Sequence, residues 1–467
     1  MQELKKTSEM KRITSLIVQI TLFVLSIAGF SSCASNDYTK AIPTNCTAIM
    51  ALDIESMKQM GGNDITQSLA SLLNINDISK CGLDLSQKIY MFETNDGNFG
   101  TCIKVSDNDD IEQWLKTLNE KGKCSKTTKK RDFTFALLHD SWEIGFSEEA
   151  FIMLGPILPA QQADAIRNIR KYLKQAADGK DKESPLIEKL DSIEGAMALV
   201  AQIDALPDKI TAPFTLVQPN KTDCSQIIIA ASMDKSSDNN LVIRGSLFSF
   251  NNNVDKGIKE NLSKLREIEG KYALNIPNNS LCTIFLNAEG NDLVNMTHNS
   301  KQLGGILAGI NTAIDMDNIL RCTSGDFALS IDSYSEAKAN MSMAAKLTSR
   351  KFLNDVDYWK KSCPSGSKIE DYGKDSFMLQ TSDTNFWFGA TETNDFFGST
   401  DKARATGILK PCDNPYPKDI INEIKGKKMC MVLNISQILK QIQDTSETKD
   451  FIAPLFGKVK NIIFSIK

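Results

Sequence analysis

Only two histidines, His139 and His298, are available for acid–base chemistry in this 467-residue chain. His139-Asp140-Ser141 contains the residue types of a Ser-His-Asp triad, but adjacency works against that role. Consecutive residues alternate faces on a strand or close a turn, so the run reads as the turn of a hairpin. Ser106-Asp107-Asn108-Asp109-Asp110 offers oxygen ligands for calcium, yet it lacks the glycine and the spaced acids of an EF-type loop. Acidic residues in a first helical turn are what the helix dipole favours, so this run reads as a helix cap. Asp53, Asp204 and Asn434 end strand-like runs before helices and read the same way. No Cys-x-x-Cys, His-Glu-x-x-His, Gly-x-Gly-x-x-Gly or Walker loop occurs, so no metal site, cofactor or catalytic residue is assigned. Glycoside hydrolysis needs only two carboxylates in an otherwise unmarked cleft, and a glycan-directed hydrolase is therefore the alternative function.

One cysteine stands apart from the other ten. Lys5, Lys6, Lys11 and Arg12 precede an apolar run from Ile13 to Phe30, interrupted only by Thr14, Ser15, Gln19, Thr21 and Ser26. This is a positive n-region followed by an h-region. Phe30-Ser31-Ser32-Cys33 then resembles a lipobox, which predicts cleavage before Cys33, acylation of its thiol and a lipid-anchored chain without residues 1–32. A spanning helix is the competing reading, since the run approaches the roughly 20 residues a span needs. The polar content and the placed cysteine favour cleavage. A formal charge of −4, with Lys123 to Arg131 as the one basic stretch after the leader, argues against a nucleic-acid partner. That stretch reads as a solvated loop.

The chain from Cys33 onward is long enough for two or three cores at roughly 150 residues each. Aligned against itself it repeats at an offset near 240. Cys46 matches Cys282, Cys81 matches Cys322, Cys124 matches Cys363, Trp142 matches Trp387 and Gly145 matches Gly389. Pro185 to Ile203 parallels Pro417 to Ile435, with Gly195 and Gly426 in one role, and Ile227 to Ile229 parallels Ile462 to Phe464. The expected fold is α+β, with two duplicated modules at 43–270 and 271–467 after a linker at 33–42. Each would be a largely antiparallel or mixed sheet covered by helices. Periodicity predicts the order β-α-β-β-α-β-β in the first module, with hairpins about Asn95-Asp96-Gly97-Asn98 and His139-Asp140-Ser141. Helices at 163–176 and 185–193, strands at 197–203, 227–232 and 241–250, and a helix at 254–268 follow. Residues 241–268 lack a counterpart in the second copy, so they either bridge the modules or give the first sheet one more strand.

Trp142 and Trp387 are the candidate binding aromatics, because a tryptophan beside a sheet edge can stack on a sugar or peptide; burial in the core is the competing role. A β-α-β crossover would return Cys46 and Cys81, and likewise Cys282 and Cys322, to one end of the sheet, which predicts two disulfides. The alternative is that all ten cysteines after Cys33 are small buried hydrophobes.

Asn36 to Pro43, followed by Cys46-Thr47-Ala48-Ile49-Met50-Ala51-Leu52-Asp53, resembles the start of an uncharacterised family of Bacteroidetes lipoproteins, a domain of unknown function. There a lipidated cysteine, a short linker and Ile-Pro precede an apolar strand ending in Asp, and the similarity runs through the mature chain. The resemblance implies an outer-membrane location, on the periplasmic or the cell-surface face, and carries over no functional residue. The resulting expectation is a non-enzymatic envelope lipoprotein that binds another protein or a glycan.

Overall fold

The computed structural model describes residues 36–59, 80–178, 184–206, 216–219, 222–236, 239–299, 310, 313–334, 339–382, 384–441 and 459–466. Cys33 and its leader lie outside these residues. The chain divides into two units. The first holds the described residues up to Ala205 with Ile228–Asp234, and the second holds the described residues of 206–227 and those from Lys235 onward. The strand and helix at 241–263 fall in the second unit.

In the first unit the order is β1 (Ala48–Leu52), α1 (Ile54–Gln59), β2 (Ile89–Glu93), β3 (Phe99–Lys104), α2 (Asn108–Glu120), β4 (Thr128–Lys130), β5 (Phe133–Leu138), β6 (Trp142–Phe146), β7 (Ala150–Gly155), α3 (Gln162–Asp178), α4 (Pro185–Asp191), β8 (Met197–Gln202) and β9 (Ile228–Lys235). The strands lie side by side as β9-β8-β1-β2-β3-β7-β6-β5-β4, antiparallel throughout. Local chemistry accounts for the joints. Gly97, at φ +78°, turns the β2–β3 hairpin. His139 and Asp140, at φ +46° and +54°, give the two left-handed residues that a two-residue hairpin turn requires. Asp107 accepts from the backbone N–H groups of Asp109 and Asp110 and caps α2, whose buried face is Ile111, Trp114, Leu115 and Leu118.

Two strands were absent from the expected order. Ala150–Gly155 is a near-continuous apolar run in which only Met153 is partly exposed. Phe151 meets Trp114 of α2 while α3 packs on the strand as well, so burial on both faces erases the alternation that marks a strand. The basic stretch read as a loop contains β4, a three-residue exposed strand at the sheet edge. Its brevity and its lysines discourage pairing with another chain.

The second unit runs β10 (Leu241–Phe248), α5 (Asn252–Ser263), β11 (Cys282–Glu289), α6 (Gly290–Asn299), α7 (Met316–Arg321), β12 (Thr323–Tyr334), β13 (Ala339–Leu347), α8 (Val356–Ser362), β14 (Lys368–Gly373), β15 (Ser376–Gln380), β16 (Asn385–Ala390), β17 (Asp395–Ser399), α9 (Lys402–Gly407), α10 (Lys418–Ile424), β18 (Met429–Asn434), α11 (Ile435–Gln441) and β19 (Asn461–Ile466). Its strands are ordered β10-β19-β18-β11-β12-β13-β17-β16-β15-β14. Only β10 with β19 is parallel among these pairs. Strands β10, β11, β13, β17, β18 and β19 supply Val242, Phe285, Ala344, Phe397, Val432 and Ile463 to a core that α9 and α10 close with Ala405, Ile420 and Ile424. The fold is therefore mixed helix and strand, with largely antiparallel sheets. Among the described residues no helix is long and apolar enough to cross a membrane.

Candidate functional site

The cysteines are placed by strand direction. β1 and β2 are antiparallel neighbours with Ala48 opposite Glu93 and Leu52 opposite Ile89. The chain leaving β1 at Leu52 re-enters the sheet at that same end, where Leu83 bridges Val105 just after Cys81. Cys46 lies at the other end, beside Thr47, whose N–H donates to Glu93. In the second unit Cys282 opens β11 opposite Ile331, while Cys322 precedes β12 at the end where Glu289 pairs with Ser324. Seven residues at about 3.4 Å each separate those ends by roughly 24 Å, against a Cα limit near 7 Å for a disulfide. The expected Cys46–Cys81 and Cys282–Cys322 bonds are accordingly not formed, and none of the ten cysteines from Cys46 to Cys430 is in a disulfide. A crossover would bring these cysteines together only between parallel strands, and β1–β2 and β11–β12 are antiparallel. Cys46 Sγ lies 3.5 Å from the buried Ser184 Oγ, Cys102 Sγ donates to the Tyr38 carbonyl at 3.3 Å, and desolvation pushes the Cys282 thiol up to about 12.

Trp142 and Trp387 are both half-buried. The Trp142 ring covers Gly155 across the strand pair, where a Cβ would lie 2.7 Å from ring atoms. Trp387 packs against the second unit's core, and its buried Nε1 has no hydrogen-bond acceptor. Trp142 is three residues from Gly145 and Trp387 two from Gly389. Strand side chains alternate, so Trp142 opposes its glycine's face while Trp387 shares it. The two matches drawn from sequence, Trp with Trp and Gly with Gly, cannot hold in one register.

His139 and Asp140 are exposed at their turn, and Ser141 Oγ donates to the His139 carbonyl. His298 is exposed and pairs with Asp317 at 2.9 Å. Among the described residues no group of three or more His, Cys, Asp or Glu is placed to hold a metal. A shallow open groove of about 450 Å³ follows α5, lined by Asn252, Asp255, Lys256, Lys259, Glu260 and Ser263. Lys259 pairs with Asp255 at 2.7 Å and holds its carboxyl below the usual range. The groove is a solvated helix face with its charges matched along the helix.

The sequence left the buried carboxylates unmarked. On β12, Asp326 Oδ1 accepts from the Glu269 N–H at 2.9 Å and from Asn287 Nδ2 at 3.1 Å, while Oδ2 accepts from the Lys271 N–H at 2.7 Å. Asp395, which opens β17, accepts from Lys271 Nζ at 2.5 Å, Tyr272 OH at 2.8 Å and Thr393 Oγ1 at 2.9 Å. Burial raises this carboxyl, but those donors outweigh it and hold it below its ordinary value. Together the two aspartates pin residues 269–272 to the sheet. Asp326→Ala leaves three inward donors without their acceptor, at about 1–3 kcal/mol each when they stay dry. The expected loss in urea unfolding is about 3 kcal/mol or more, and a change below about 1 kcal/mol would show that water replaces the carboxylate.

Glu143, on β6, is the third. It is 1% exposed and accepts from Gln162 Nε2 at the start of α3, at 3.1 Å. Burial pushes its carboxyl up to about 7, against smaller lowering effects from Gln162 and Lys130.

A family model described as Domain of unknown function (DUF4836) matches residues 41–464. No curated protein matches the chain. Crystal forms III and IV of TP0453 align at 7% identity with TM-scores of 0.24 and 0.25, covering 80% of this chain and 98% and 96% of theirs. Likeness at that level carries no argument.

Proposed function

The chain belongs to the DUF4836 family, and from that premise we propose a non-enzymatic envelope lipoprotein, held to the outer membrane through Cys33, whose body binds a protein or glycan partner. We read the body as one α+β module written twice. Supporting that reading, the first unit pairs β1 with β2 and β8, β3 with β2 and β7, β6 with β7 and β5, β5 with β4, and β8 with β9. The second pairs β11 with β12 and β18, β13 with β12 and β17, β16 with β17 and β15, β15 with β14, and β18 with β19. The two series correspond strand for strand.

A finer register comes from the turns. Ser147 N–H donates to Ala150 after β6 as Thr391 N–H donates to Asp395 after β16. That sets Gly145 on Gly389, Trp142 on Phe386 and Glu143 on Trp387. The tryptophans that correspond are Trp114 of α2 and Trp359 of α8, each buried among sheet aromatics.

The observation that carries the binding role is how the buried carboxylates are used. Asp326 and Asp395 spend their oxygens on backbone, lysine and hydroxyl donors that fix the fold. Half-buried Trp142 keeps part of its ring available for stacking on a glycan. A hydrolase is the second reading, favoured by Glu143, since a carboxyl near 7 suits a general acid. Incubation of the purified chain with envelope polysaccharide separates the two. The binding reading expects co-sedimentation or none, with no new reducing ends; turnover abolished by Glu143→Gln would establish the hydrolase instead.

A further inference from the structure

Glu143 lies between the sheet and the helix that covers it. Gly145, two residues on and on the same face of β6, is so close to α3 that a Cβ there would sit 2.5 Å from Ile169. The glutamate therefore points at the N-terminal turn of α3, where its donor is the neutral amide of Gln162. Leu137 of β5 and Leu154 of β7 flank it across the sheet. The charged and titratable groups around it are few. Lys130 of β4 acts on it electrostatically, and the Cys124 thiol, pushed up to about 11, stays neutral. On α3, Asp164 and Arg167 pair with each other at 2.9 Å on the exposed side. In the register proposed above the second unit has Trp387 at this place, packed into its core, so the fold does not demand a carboxyl here. This comparison rests on the duplicated-module reading; the placement of Glu143 does not.

We propose that Glu143 is a proton-operated latch: protonated, it seats the first turn of α3 against β6, and on ionisation it loosens that turn. A carboxyl whose folded value lies above its unfolded value binds more protons in the folded state. Its contribution is full in acid, declines once pH rises past the unfolded value near 4.5, and is lost as pH passes about 7. A buried carboxylate facing an amide and one lysine is the unfavourable state.

Hydrogen exchange of residues 159–166 in the full chain, corrected for intrinsic rates, tests this between pH 5.5 and 8.5. Protection in the native sequence is expected to fall about tenfold or more across that range, while Glu143→Gln shows no such fall. Lys130→Ala, which removes a surface cation, should move the midpoint of the loss to higher pH and keeps the test available should the glutamine variant misfold. Flat protection in the native chain, the same fall in Glu143→Gln, or an unmoved midpoint in Lys130→Ala would overturn the latch. None of these outcomes bears on whether the two modules superpose.

Discussion

Alanine at Trp114 or at Trp359 is expected to cost about 3–5 kcal/mol each, the largest stability losses among the tryptophans. Trp114 is 7% exposed and Trp359 5%. The first meets Phe151 at 6.2 Å between ring centres. The second meets Phe352 at 6.5 Å and Phe388 at 6.4 Å, joining the aromatic layer of its own sheet. Removing either ring opens a cavity that backbone elements on both sides cannot fill. Trp142→Ala should cost less, because that ring is only partly buried and leaves space over a glycine rather than inside a core. Chemical denaturation of the three variants checks the ranking. Equal losses at Trp114 and Trp359 with a smaller one at Trp142 fit the proposed register, whereas a larger loss at Trp142 contradicts it.

Hairpin turns and the α2 cap were legible because their signals are local: Asp96-Gly97 demands a left-handed turn, and Asp107 sits where its carboxylate meets two free N–H groups. The mixed order of strands and helices was legible because apolar runs, turns and helical spacing alternate along the chain. Strand β7 was hidden because burial on two faces removes periodicity. In the proposed register Trp142 falls one residue from Trp387, a shift that barely changes an offset near 240 but reverses the face of a strand. The expected disulfides needed parallel neighbours, and nothing local in the sequence records that β1 and β2 run in opposite directions.

Glu143 had no signature at all. It is one acid in a five-residue strand, and its character comes from a helix starting nineteen positions later. Asp326 and Asp395 were silent for the same reason, since the backbone N–H groups that Asp326 satisfies and the lysine and tyrosine side chains that Asp395 meets come from residues 269–272. Sites assembled by tertiary packing leave little trace in spacing.

A single substitution tests the proposed anchor. Lys5, Lys6, Lys11 and Arg12, the apolar run to Phe30, and Ser31-Ser32 before Cys33 compose the signal that the proposal rests on. Acyl chains contribute about 0.8 kcal/mol per buried CH₂, so a multiply acylated cysteine holds a folded body firmly to a bilayer while its loss leaves only weak adsorption. Cys33→Ala, expressed in a Gram-negative envelope and followed by membrane fractionation with labelled fatty acid, is the direct measurement. The expected result is loss of the label, with the chain either uncut or released from the outer-membrane fraction. Unchanged label, processing and fractionation in Cys33→Ala would contradict the lipoprotein reading.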